Sequence, residues 1–76
     1  MNGPRVFLDS TALTSILFSA ETNVLNVEFR NGLIYEYLGV SSDLYAQLLA
    51  APSKGAFLVR FIRGHFPHRR LDPAPH

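Results

Sequence analysis

Residues 24–40 read V-L-N-V-E-F-R-N-G-L-I-Y-E-Y-L-G-V, and the fold turns on how this stretch bends. Two apolar runs with period-two alternation flank Asn31-Gly32, the strongest short-range signal for a β-hairpin. The turn type decides which side chains face inward, because a slip of one residue moves a whole strand's pattern to the other face. A two-residue loop of Asn31 and Gly32 groups Leu25, Val27 and Phe29 with Ile34, Glu36 and Leu38, which buries Glu36 and leaves Tyr35 and Tyr37 on the wetter face. A three-residue loop, Arg30–Gly32 with Gly32 in a left-handed bulge, shifts the pairing by one. Leu25, Val27, Phe29, Leu33, Tyr35 and Tyr37 then share one apolar and aromatic face, and Glu28, Glu36 and Asn26 point outward with Val24, Ile34 and Leu38. An unpaired carboxylate in a core costs on the order of several kcal/mol. The bulged register is therefore the expectation, with Tyr35 and Tyr37 as core residues and not as the exposed stacking platform that RNA-binding sheets use.

Working outward, Thr14–Ser19 reads as a preceding strand with Ile16 and Phe18 inward, and Ala20–Asn23 as its turn. Strands at about 14–19, 24–30 and 33–39 make a three-stranded antiparallel meander. Ahead of it, Val6–Leu8 is a short apolar run, extended and packed on the core or a sheet edge, and Asp9-Ser10-Thr11 is a turn or single helical turn built from side chains that bond nearby amides. Ser41-Ser42-Asp43 carries an N-cap signature, so a helix should run over about 42–50 with Leu44, Tyr45, Leu48 and Leu49 on its inner arc. Ala51-Pro52 stops it, since a residue before proline avoids helical geometry. Ser53 should cap a second helix over 54–63, buried along Phe57, Leu58, Phe61 and Ile62, with Gly64 at its left-handed end. The fold class is α+β, the two helices covering one face of the meander. The domain should span 6–71, with residues 1–5 a loose leader, His65–Leu71 a basic tailpiece anchored by Phe66 and Leu71, and residues 72–76 a disordered tail.

With 76 residues, 47% of them hydrophobic, the chain can form one small core without staples. It has no cysteine, which excludes a disulfide scaffold and thiolate chemistry. No apolar run approaches the roughly 20 residues of a membrane span, and the N-terminus lacks a signal peptide's apolar segment. A cytoplasmic location is the expectation. Charge is unevenly spread: residues 53–70 carry Lys54, Arg60, Arg63, Arg69 and Arg70 with no acid, whereas residues 1–52 set Arg5 and Arg30 against five acids.

The order of short motifs resembles the KTSC domain, a module named for the C-terminus of some lysyl-tRNA synthetases and also found as a small stand-alone bacterial or phage protein. The resemblance rests on Ser10-Thr11, then Leu25-x-Val27-Glu28-Phe29-x-Asn31-Gly32, Tyr35-Glu36-Tyr37, Leu38-Gly39-Val40, Ala51-Pro52-Ser53-Lys54-Gly55, Ile62-Arg63 and Phe66-Pro67. It covers about Val6 to Leu71. Thr11 departs from the family's usual Ser, Ser41 from a frequent Pro, and Phe66 from a common Tyr. The resemblance implies no catalytic activity, and RNA binding is suggested only by the synthetase context.

The residues themselves offer little catalytic chemistry. Ser10 has no nucleophile-elbow surroundings and no nearby His. Glu28 and Glu36 are neighbours on an open sheet face that neither desolvates nor perturbs them. His65 and His68 make an H-x-x-H pair, short of the three protein ligands zinc normally takes. No cofactor, metal or catalytic residue is expected. Two binding readings follow. In the first, Ser53, Lys54 and Gly55 at a helix start join Arg60, Arg63, Arg69 and Arg70 to bind RNA or another polyanion. In the second, a partner protein docks on the outer sheet face or edge at Val24, Ile34 and Leu38.

Overall fold

The computed structural model describes residues 5–8 and 11–71. The Asp9-Ser10 part of the expected turn, leader residues 1–4 and the tail 72–76 lie outside the described residues. The described strands number five, forming one antiparallel sheet in chain order: β1 (Val6–Phe7), β2 (Leu13–Ser19), β3 (Val24–Phe29), β4 (Ile34–Leu38) and β5 (His68–Leu71). Between β4 and β5 come α1 (Ser42–Ala50), α2 (Lys54–Phe57) and a π-helical turn over Leu58–Ile62. The expected three-stranded meander is thus the centre of a wider sheet.

The hairpin takes the bulged register. Val27 pairs with Tyr35 and Leu25 with Tyr37. Phe29 N–H donates to Leu33 O at 2.8 Å and Gly32 N–H to Phe29 O at 3.0 Å, closing a loop of Arg30, Asn31 and Gly32. Gly32 sits at φ +90°, where a side chain would be strained. Leu33 N–H also donates to Asn31 Oδ1 at 3.0 Å, so Asn31 stabilises the turn through its own side chain. The face this register builds is the core: Leu25, Val27 and Tyr37 are fully buried, joined by Ile16 and Phe18 from β2.

β2 begins one residue earlier than expected and solves a phase problem. Leu13 is odd-numbered whereas Ile16 and Phe18 are even, so a regular strand would point Leu13 outward. A bulge between Leu13 and Ser15 adds one unpaired residue, and Leu13 pairs inward beside Phe29, fully buried.

Both helix caps form as the serines indicate. Ser41 Oγ accepts from Leu44 N–H and Ser53 Oγ from Ala56 N–H. On α1, Leu48 is fully buried and the Tyr45 ring stacks on Phe18 with centroids 4.6 Å apart. Leu49, expected inward, is 38% exposed. The second helix departs more from expectation. It is α-helical only to Phe57, and Arg63 N–H then bonds Leu58 O, a five-residue step. The wider turn keeps Leu58 and Ile62 fully buried but swings Phe61 out to 47% exposure, so the expected four-residue stripe narrows. Among the described residues no helix is long and apolar enough to cross a membrane.

Candidate nucleic-acid interface

After the π turn, Gly64 at φ +83° reverses the chain, and Leu38 N–H donates to Pro67 O at 2.9 Å. That bond starts the pairing of β5 on β4. The segment read as a basic tailpiece is therefore a strand, in which Tyr37 faces His68, Glu36 faces Arg69, Tyr35 faces Arg70 and Ile34 faces Leu71. Strand alternation then sorts the basic residues. His68 and Arg70 share the helix-covered side with the two tyrosines, and Arg69 and Leu71 share the open side with Glu36 and Ile34.

On the helix side the aromatic rings form a series across three strands. Phe29 meets Tyr35 edge-on at 5.6 Å, and Tyr35 stacks on His68 at 5.5 Å with planes 19° apart. Tyr37 lies 5.9 Å from His68 at a tilt of 41°. Tyr37 is fully buried, Tyr35 half-buried and His68 exposed. Burial pushes the Tyr37 hydroxyl's pKa up; the positive charge of Arg63 opposes this and Tyr35 adds to it. The Tyr37 hydroxyl has no hydrogen-bond partner among the described residues. Arg63, exposed at the end of the π turn, thus lies within electrostatic reach of the same ring group.

The seven residues expected to bind an anion do not form one patch. Ser53 is a helix cap, and Lys54 turns back to donate to Ala51 O at 3.1 Å. Gly55 serves a close approach within the chain: a Cβ there would stand 3.0 Å from Ala12 Cβ. Arg69 is on the far side of the sheet in an ion pair with Glu36. Arg60 is exposed on the π turn with its guanidinium 5.5 Å from the Phe61 ring centre. Arg70 lies on the helix side with His68, and the charge of Arg63 is felt at Tyr37. His68 enters the sequence reading only as half of the H-x-x-H pair, and its place on the tyrosine side follows from its pairing with Tyr37. Among the described residues no three metal-ligating side chains gather, and His65 sits in the turn after Ile62.

The open face is polar at its centre. Arg5 donates to Ser15 Oγ at 2.8 Å and to Asn26 Oδ1 at 2.9 Å, and Ser15 Oγ donates to Glu28 Oε1 at 3.0 Å. The last residue of the expected leader is thus tied to the sheet. Glu28 and Glu36 have separate partners and do not act as a pair. Beside them lies a concavity of about 420 Å³ whose lining includes the apolar Leu17, Val24 and Leu38 and the polar Asn26, Glu36 and Arg69. Of the expected partner-binding residues, Val24 and Leu38 line it and Ile34 does not.

Known proteins share the sequence and the fold. The family model described as the KTSC domain matches residues 9–66. A lysine–tRNA ligase of a Nostoc species is 39% identical over 69 residues, which cover 91% of this chain and 12% of the ligase. The chain thus spans about an eighth of the curated ligases it matches. An uncharacterised protein of Stutzerimonas stutzeri is 36% identical over 90% of this chain and 97% of its own length. The crystal structure of a KTSC domain protein from Yersinia pestis superposes with a TM-score of 0.86 at 30% identity, covering 93% of this chain and 99% of that one. The chain belongs to the KTSC domain family.

Proposed function

We propose that this chain is a non-enzymatic nucleic-acid-binding module whose ligand is RNA, held on the helix side of β4 and β5. The observation that carries this reading is the alternation of β5, which puts His68 and Arg70 beside the Tyr35 and Tyr37 rings, with the charge of Arg63 felt at Tyr37. Cations beside aromatic rings suit a strand whose phosphates need charge and whose bases need flat partners. The ligases to which the chain is similar carry tRNA in their name, which makes RNA the nucleic acid of choice. Phosphate contacts position a ligand without reading its sequence, so binding should be weak and tolerant of sequence.

Fluorescence anisotropy with a labelled single-stranded RNA tests this. Two phosphates met by Arg63 and Arg70 should give a log–log salt slope of about −1.4. Arg63→Glu with Arg70→Glu should remove binding while circular dichroism shows the fold retained, and Arg69→Glu, on the other face, should keep most of it. No binding by the unaltered protein at low salt would end the reading.

A second reading has its own observation, the concavity on the open face. Its apolar lining of Leu17, Val24 and Leu38 suits an apolar side chain of a partner protein, with the charges of Glu36 and Arg69 in the same lining. Under that reading Leu38→Asp abolishes capture of a partner and the arginine substitutions do not.

A further inference from the structure

We infer that the exposed imidazole of His68 is a stacking rung for one unpaired base, extending across the sheet edge the aromatic series that runs from Phe29 through Tyr35. The inference rests on the nucleic-acid reading above and narrows it to single-stranded ligands. The His68 and Tyr35 planes are within 19° of parallel, and Tyr35 is itself braced by the edge of Phe29. The imidazole is therefore presented flat against a supported ring. β5 is the last strand of the sheet among the described residues, so the far face of the His68 ring meets no neighbouring strand. His68 as a whole is exposed. Arg70, two residues along the same strand, supplies positive charge on the same side for the phosphates that flank a stacked base, and the charge of Arg63 is close enough to be felt at Tyr37. Charged residues on an edge strand also discourage sheets from joining edge to edge. That role accounts for the arginines but does not require a ring aligned with Tyr35. A base can reach the imidazole only when unpaired and turned out of its helix, so duplex RNA is excluded as the ligand.

The test compares three RNAs of 12 nucleotides per strand by anisotropy: oligouridylate, a strand of the same phosphates with abasic sites throughout, and a duplex. Oligouridylate should bind about tenfold more tightly than the abasic strand, within the range of stacking on one side chain. His68→Ala should bring oligouridylate down to the abasic level and leave the abasic strand unchanged. His68→Phe, which keeps a flat ring without the imidazole nitrogens, should restore the preference. Equal weakening of both strands by His68→Ala, or no effect on either, overturns the stacking role and leaves the nucleic-acid reading standing. Duplex bound as tightly as oligouridylate also overturns it. Failure of the unaltered protein to bind any of the three removes the nucleic-acid reading and this inference together.

Discussion

Tyr37 permits two substitutions with opposite expected signs. Its ring is fully buried at the middle of the core, and its hydroxyl is buried with no hydrogen-bond partner among the described residues. Tyr37→Ala removes the whole ring and leaves a cavity, which should cost about 3–5 kcal/mol, as for other large aromatic residues. Tyr37→Phe removes only the oxygen. An unsatisfied buried hydroxyl costs about 1–3 kcal/mol, and the void left by one oxygen offsets part of the recovery. A net gain of about 1 kcal/mol is expected. For a domain of this size that raises the melting temperature by about 4–8 °C. Urea unfolding followed by circular dichroism measures both, provided the slope against denaturant is unchanged among the three proteins. A Phe variant that loses about 1 kcal/mol or more would show that the hydroxyl is bonded. An Ala variant that loses less than about 1 kcal/mol would remove the ring from the core, and with it the bulged register on which the sheet depends.

The same hydroxyl bears on alkaline stability. Burial raises the pKa of Tyr37, and of Tyr45, above the unfolded value of about 10. The unfolded chain loses these protons first, so their contribution is intact below pH 10 and is lost as pH rises through the folded values. Tyr37→Phe should flatten that decline in a denaturation series from pH 9 to 11, and an equally steep decline would count against Tyr37 as a source. Gly55→Ala should lower stability by about 1 kcal/mol, although alanine favours helix by up to about that amount. Its Cβ would stand 3.0 Å from Ala12 Cβ, and Ala12 is tied down by its carbonyl's bond from Arg30 N–H. Restored stability in Gly55→Ala with Ala12→Gly would identify that contact as the cause.

The central hairpin was legible because its alternation, the Asn31-Gly32 pair and the cost of burying Glu36 all select one register. Ser41 and Ser53 were legible as caps because each needs only an amide three residues on. What escaped depends on partners distant in sequence. His68–Leu71 is short, basic and preceded by proline, and it becomes a strand only because β4 offers an open edge 33 residues earlier, as Glu36 and Arg69 show. β1 sits at the sheet edge, one of the two places its extended apolar run allows, and only its pairing with Ile16 and Ser15 decides between them. Phe61 was assigned to the core by a uniform 100° step, and the π turn breaks that step. For the candidate site, charge alone points to Arg63 and Arg70 in the sequence, whereas the stacking of His68 on Tyr35 depends on strand pairing that the sequence does not display.

The most direct test of the nucleic-acid interface is an amide chemical-shift titration of the labelled protein with a single-stranded RNA at low salt. The account predicts saturable shifts concentrated at Tyr35, Tyr37, Arg63, His68 and Arg70, with Leu17, Val24 and Leu38 on the open face unmoved. Shifts centred on Leu17, Val24 and Leu38, or none at any residue, would contradict it.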